Sequence, residues 1–371
     1  MKSLFITFLF ISSLSSLSSF KITRNNFIRN NLIHFTLNKN DFITPIVNQK
    51  ALIISCNKIG KQVANDLRDL NIRTTVTTTK PKRFDELSKI ANEVVIIPQM
   101  EMNNDEVMRE TIDKNDIIII ADTISIFSIH TFVRTCKRIA NAIINHYSFD
   151  KKNKNNKKTI ILISNINVYG IHTEGKVVNE LSTIKHDNHY TNSYEHWQIN
   201  HIAISSLMRV AENYLLELMN IGATKNRVRT VVLRTSTIID KDSINDMKKR
   251  NFELRNYTKE IGNTYMSISL TEEIGNCIKW IINNNEVKGV FNLVSNSYKR
   301  KYFYDRLFDI INKKRIDWID DNYLNKDYYY SMDENPLLPN SQRFNMKVDY
   351  YKILKNGYKF KYKDIWKYDF K

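Results

Sequence analysis

Ala51-Leu52-Ile53-Ile54-Ser55-Cys56-Asn57-Lys58-Ile59-Gly60 is the stretch on which the reading of this chain turns. Ala51 to Ile54 is a short apolar run of strand character, and Ile59, Val63, Leu67 and Leu70 then recur at helical spacing. A strand that bends at once into a helix can hold a phosphate, because the first helical N–H groups point outward and the helix dipole favours negative charge. The glycine pattern of such a corner, Gly-x-Gly-x-x-Gly, serves the tight turn, the close approach of a pyrophosphate and helix packing. Here its three positions are Ser55, Asn57 and Gly60, so only the last glycine is kept. The chain holds 8 glycines in 371 residues, well below the roughly 7% of average usage, and Asn is the next-best residue for left-handed backbone. Part of the loss is therefore compositional. Asn57 can hold the bend, but its side chain crowds a bound phosphate, which predicts weakened or altered cofactor binding. A Rossmann-shaped domain with an empty site is the alternative.

Outward from this corner, strands and helices alternate. Ile72 to Thr79, Glu93 to Ile97, Asp116 to Ala121, Thr159 to Ser164 and Thr230 to Leu233 read as strands. Between them fall helices at Asp85 to Ala91, along Phe132, Cys136, Ile139 and Ile143, and at Ile199 to Leu218, whose apolar stripe is Ala203, Leu207, Val210, Tyr214 and Leu218. Such alternation predicts an α/β fold, a Rossmann-type doubly wound parallel sheet over residues 50–240, covered by helices on both faces. Residues 241–371 predict a smaller C-terminal α/β lobe, with strands at Met266 to Leu270 and Gly289 to Val294 and helices at Thr271 to Ile282 and Tyr302 to Ile311. The Lys/Asn run at 151–158 reads as a solvated low-complexity loop.

The formal charge is +17, and residues 1–50 supply +5 of it, from Lys2, Lys21, Arg24, Arg29, Lys39 and Lys50 against Asp41. Much of the rest sits in the 151–158 run and in the tail from Arg343 to Lys371. A basic surface of this kind suits RNA or anionic substrates, although lysine-rich composition also scatters charge without any partner. The 3 cysteines, Cys56, Cys136 and Cys277, are too few and too far apart for a disulfide framework or a metal knuckle, and read as reduced, semi-buried thiols. His172, His186, His189, His196 and His201 lack the spacing of a zinc site and read as an irregular exposed loop, so no metal is expected.

Met1 to Phe20 has a lysine, an apolar stretch and a Ser/Leu-rich close, the layout of a secretory signal peptide. Residues 21–49 are acid-poor and read as a disordered transit peptide. The pair resembles the bipartite leader of proteins imported into the apicoplast, a plastid reached by the secretory route; plain secretion, or a single signal anchor, is the other reading. In both, the leader lies outside the fold, and no membrane association is expected after its removal.

An acidic residue closing the second strand would hold the ribose hydroxyls of NAD, whereas basic residues there suit the extra phosphate of NADP. Thr79 is followed by Lys80, Lys82 and Arg83, which favours NADP over NAD, with a solvated basic loop as the alternative. A dinucleotide would then lie against Ser55, Asn57, Lys58, Ile59 and Gly60, with Lys80 and Arg83 at the ribose and Ala121 and Asp122 after the fourth strand.

Ile161-Leu162-Ile163-Ser164-Asn165-Ile166-Asn167-Val168-Tyr169-Gly170, with Val178-Asn179-Glu180 after it, resembles the active-site segment of the extended short-chain dehydrogenases of the NAD-dependent epimerase/dehydratase group. That segment reads Ser-Ser-x-x-Val-Tyr-Gly and then an acidic residue. Arg209-Val210-Ala211-Glu212, Val232-Leu233-Arg234, Gly289-Val290-Phe291-Asn292-Leu293, Arg343-Phe344-Asn345 and Leu354-Lys355-Asn356-Gly357-Tyr358 extend the resemblance, in order, over most of residues 50–371. It implies proton transfer by a tyrosine whose pKa is lowered by a lysine four residues on, with a serine positioning the substrate oxygen. The serine position falls on Asn165, the tyrosine on Tyr190 and the lysine on Tyr194. A tyrosine without its ammonium neighbour keeps a pKa of about ten and is a poor base at neutral pH. Asn165 can still donate a hydrogen bond to a carbonyl.

Two readings follow. One is an atypical NADP-dependent oxidoreductase or epimerase-like enzyme, with Asn165 and Arg234 facing a small polar substrate from the ends of parallel strands. The other is a non-catalytic Rossmann protein that binds RNA or a protein partner in a plastid, with no dinucleotide bound.

Overall fold

In the computed structural model of the chain, the described residues are 34–36, 49–97, 105–122, 128–149, 156–186, 195–249, 257–258, 262–312, 315, 318–319 and 344–368. The main sheet is built from β1 (His34–Thr36), β2 (Lys50–Ile54), β3 (Arg73–Thr78), β4 (Glu93–Ile96), β5 (Ile117–Ile120), β6 (Lys158–Asn165), β9 (Val228–Thr235) and β13 (Gly289–Leu293). Its spatial order is β1-β4-β3-β2-β5-β6-β9-β13. Every pair from β4 to β13 is parallel, and β1 adds an antiparallel edge.

The central strands form a parallel sheet because both of their faces are buried, β3 through threonines and the others mainly through apolar side chains. In β5 all four isoleucines are buried; Ile118 and Ile120 pack into one core, Ile117 and Ile119 into the other. The first core is closed by α3 (Asp105–Asp113), α4 (Ile129–Phe149) and α5 (Glu195–Leu216). The second is closed by α1 (Lys58–Asp69), α2 (Phe84–Leu87) and α7 (Thr271–Asn283). With about 25 cal/mol gained per Å² of apolar surface buried, two such layers are the main source of stability. The doubly wound α/β sheet expected from the sequence is therefore the fold observed.

A second, smaller set of elements lies beside the sheet. β10 (Thr237–Ile239), β12 (Tyr265–Leu270) and β14 (Asn296–Lys299) form one three-stranded sheet, and β16 (Phe344–Val348) pairs in parallel with β7 (Gly170–Val178), which also meets β8 (Lys185–His186). β11 (Tyr257–Thr258) and β15 (Trp318–Ile319) make a separate parallel pair. α6 (Lys241–Lys249), α8 (Arg300–Ile310) and α9 (Tyr351–Lys355) complete the described helices. Phe303, Leu307 and Phe308 of α8 close a third core with Met266 and Ile268 of β12.

Several expectations need correction. The division at Asp240 does not separate the layers: β13 and α7 come from the region expected to form the smaller lobe, yet they belong to the main sheet and its second core. Conversely β7, from the expected Rossmann segment, pairs with β16. His34–Thr36 lies within the stretch read as a disordered leader and pairs with β4. Lys158 is not part of a solvated loop but opens β6 at 3% exposure, its ammonium donating to the carbonyls of Ile112, Asp113 and Asn115 at 3.0, 3.3 and 2.7 Å. This cation closes the C-terminal end of α3, a helix the sequence reading did not include. Helix α2 is also shorter than the expected 85–91 span. The face of α5 is turned by one residue: Ile204, Met208, Ala211 and Leu215 are buried, whereas Val210 is 41% exposed; Leu218, in the turn after the helix, is buried as expected.

Candidate functional site

The corner at Ser55 to Gly60 leaves the C-terminal end of β2, which lies between β3 and β5 at the point where the strand order reverses. Doubly wound sheets bind their ligands in the crevice at this switch point. Ser55 stands at the first glycine position with φ of 60°, a left-handed conformation that is costly for a residue with a Cβ. Its N–H donates to Thr77 Oγ1 at 3.1 Å, which ties the bend to β3. Gly60 packs closely: a Cβ there would stand 3.3 Å from Ile53 Cγ2, which would have to give by a few tenths of an ångström, and 3.4 Å from the Ser55 carbonyl oxygen.

Asn57 caps α1. Its Oδ1 accepts from the N–H groups of Ile59 and Gly60 at 3.0 and 3.2 Å, and its Nδ2 donates to the Ala121 carbonyl at the end of β5 at 2.6 Å. The side chain thus crosses the crevice from one strand end to the next. Arg83, one of the two basic residues assigned to the ribose, donates to the Cys56 carbonyl at 2.8 Å and to Glu86 Oε2 at 3.2 Å; Lys80 is exposed. Lys58 points to the second set of elements, its ammonium 2.7 Å from Asp240 Oδ1 and 3.3 Å from Asp242 Oδ2. Burial pushes the Asp240 carboxyl up, but hydrogen bonds from Lys58 and from the side chain and N–H of Ser243 prevail and hold it below its ordinary value. Burial, only partly opposed by Arg83 and Lys61, pushes the Cys56 thiol up to about 11. All 3 cysteines are free and fully buried, more deeply than expected.

A second polar cluster lies inside the sheet's C-terminal end. Arg234 is 1% exposed, and its Nη2 and Nε meet the two oxygens of Glu212 at 2.6 and 3.0 Å. Its Nη1 donates to Tyr169 Oη at 3.0 Å, and Tyr169 donates to Asn292 Oδ1 at 2.6 Å. Ser164 Oγ donates to Glu212 Oε1 at 2.7 Å, and Glu180 Oε1 accepts from the Asn292 N–H at 2.8 Å. Burial opposes the charge on Arg234, but the carboxylate's hydrogen bonds and charge, with Tyr169, raise its pKa above the ordinary value. The guanidinium expected to face a substrate is held by protein groups instead. Ser164, Glu180, Glu212 and Asn292 were missed as a polar cluster, although each lies in a segment of the resemblance.

Asn165 ends β6 beside this cluster, half-buried, with its Oδ1 accepting from the Asn167 N–H at 2.9 Å. Tyr190 and Tyr194 lie outside the described residues. Asp122 follows Ala121 at the crevice. The five histidines do not form one loop: His172 is in β7, His186 in β8, and His196 and His201 are on α5, while His189 lies outside the described residues. Among the described residues no group of His, Cys, Asp or Glu could hold a metal ion. No helix among them is long and apolar enough to cross a membrane.

No family model matches the chain, and no curated protein does. Solved structures match it along most of its length. A UDP-N-acetylglucosamine 4-epimerase from Methanobrevibacter ruminantium, solved with UDP-N-acetylmuramic acid, superposes with a TM-score of 0.60 at 14% identity, covering 86% of this chain and 94% of that one. A human epimerase family protein solved with NADPH gives 0.54 at 13% identity, over 85% of this chain and 96% of that one. Vestitone reductase from alfalfa gives 0.56 at 12% identity, over 84% and 93%. The chain thus has the Rossmann-type fold of these epimerases and reductases.

Proposed function

We propose that the chain is a nicotinamide-dinucleotide-binding protein of the extended short-chain dehydrogenase type, working as an NADP-dependent oxidoreductase or epimerase-like enzyme on a small polar substrate. The observation that carries this reading is the left-handed Ser55 and close-packed Gly60 at a strand-to-helix bend on the switch point of the sheet. Neighbours of the same fold were solved with NADPH or NAD. The corner fits a pyrophosphate once the Asn57 side chain swings aside: Ser55, Asn57, Lys58, Ile59 and Gly60 would hold it, Ala121 and Asp122 would flank it, and Arg83 with Lys80 would meet the ribose phosphate of NADP.

Bound there, a nicotinamide dinucleotide supplies hydride transfer. The chain's own part is to position the substrate. Asn165 would donate from Nδ2 to a carbonyl, and Tyr190 would exchange a proton with the substrate oxygen. Arg234 and Glu212 act as positioning residues, since they lock β6 and α5 through Ser164, next to Asn165. Titration with NADPH and NADH tests the reading. Micromolar NADPH binding, tighter than NADH, is expected, and absence of both sinks it. Once turnover is found, Tyr190→Phe should abolish it.

A non-catalytic role in a plastid, with RNA or a protein as partner, is the second reading, favoured by Tyr194 in the lysine position and by the Asn57 side chain in the crevice. It predicts RNA binding that weakens steeply with salt and no dinucleotide binding. The leader's targeting to the apicoplast rests on residues 1–49; a fluorescent fusion of that segment, located in a parasite cell, tests it.

A further inference from the structure

The crevice between β2 and β5 is bridged by one side chain. A dinucleotide at the switch point must bring its pyrophosphate against the turn after β2, and the motif places a glycine at the second position so that backbone alone faces the phosphate. Asn57 stands there instead, and its amide does two things at once. Its oxygen takes the two N–H groups of Ile59 and Gly60 that would otherwise meet a phosphate oxygen. Its nitrogen reaches the Ala121 carbonyl, 64 residues along the chain, on the opposite wall of the crevice. Neighbouring contacts brace the arrangement: Arg83 holds the Cys56 carbonyl just before Asn57, and Lys58 just after it is tied to Asp240. Oxygen and nitrogen of one amide are thus matched to opposite walls, a fit that neither Ser nor Asp can reproduce, since neither carries a terminal amide.

Resting on the nicotinamide reading above, we infer that Asn57 is an internal gate on the dinucleotide crevice. Its side chain substitutes for a phosphate in the closed form and must leave its three hydrogen bonds before a pyrophosphate enters. The dinucleotide affinity is therefore lower than the fold would otherwise permit, by the free energy of closing. Glycine leaves the two cap N–H groups to water at little cost, so the bridge to Ala121 is the bond lost outright, and one net hydrogen bond sets a gain of about threefold to tenfold for a variant that cannot close.

The test compares the full chain with Asn57→Gly and Asn57→Ser. Gly is well tolerated in place of Asn at a helix N-cap, and Ser keeps the cap while dropping the bridge to Ala121, so the pair guards against a folding failure. Affinities for NADPH are measured by calorimetry, and amide exchange at Ile59 and Gly60 is followed without ligand. Expected are faster exchange at both amides in Asn57→Gly and NADPH binding about threefold to tenfold tighter than in the parent, with Asn57→Ser in between. If parent and both variants bind NADPH equally, the gate is overturned while the nicotinamide reading stands. If no form binds NADPH or NADH although the variants are folded and their amides exchange faster, both the gate and the nicotinamide reading fail.

Discussion

Arg234 and Glu212 face each other inside the protein as a two-pronged ion pair, each 1% exposed, with contacts of 2.6 and 3.0 Å. Arginine's planar fork matches a carboxylate in this way, and the remaining valences are filled by Ser164 and Tyr169. The pair joins β9 to α5, on the same side of the helix that buries Met208, Ala211 and Leu215 in the core.

Glu212→Ala leaves the Arg234 guanidinium buried with its main partner gone. The expected cost is about 3–5 kcal/mol, the range for breaking a buried pair by removing one partner. Urea unfolding measures it, and a loss under about 1 kcal/mol would contradict the pairing. Replacing both residues by Met should cost less than Glu212→Ala alone.

Gly275 lies where α7 crosses α1, and a Cβ there would come within 2.9 Å of Asp66 Cγ. Asp66 is held by Gln62 at 3.2 Å and Lys279 at 3.4 Å, so it cannot turn aside without losing both. Gly275→Ala should destabilise by about 1–3 kcal/mol, as overpacking does. Adding Asp66→Ala should recover part of the loss in a double-mutant cycle; strict additivity would place the strain elsewhere.

The depressed Asp240 carboxyl gives a pH signature. Its folded pKa lies below the ordinary 3.8, so its contribution is fully present above that value and disappears as pH falls through the folded one. Asp240→Asn should therefore be less stable than the parent at about pH 6, and the gap should close on acidification below about pH 4. Thermal melts of both proteins across this range check it, and a constant gap would remove Asp240 from the acid response.

The Cys56 thiol, pushed up to about 11 by burial, and the two other buried cysteines carry little thiolate at neutral pH. Iodoacetamide at about pH 7.5 should leave all 3 unmodified in the folded chain and label all of them in guanidinium, as mass spectrometry will show. Rapid labelling of Cys56 in the folded form would mean that the turn after β2 opens.

What was legible along the chain was local. Ile59, Val63 and Leu67 repeat with the period of α1 and are buried there, and the apolar β5 reads as a strand covered on both faces because its pattern has no polar side. The turn of α5 was not legible in the same way. Val210 and Met208 offer two adjacent apolar stripes, and the fold takes the one that buries Met208 in the core and turns Glu212 toward Arg234 of β9. Nor could the pairing of β7 with β16 be read, since hydrogen bonds between segments so far apart leave no periodicity in either.

The amino-acid sequence by itself determined the alternation of strands and helices, and with it the doubly wound sheet and the bend at Ser55, because period and turn chemistry act over a few neighbouring residues. The tertiary structure alone decided that Arg234 turns inward to Glu212 and that Asn57 reaches Ala121 across the crevice. Both depend on partners brought together by folding, and a buried charge or amide takes whichever partner the packed interior places within hydrogen-bonding reach.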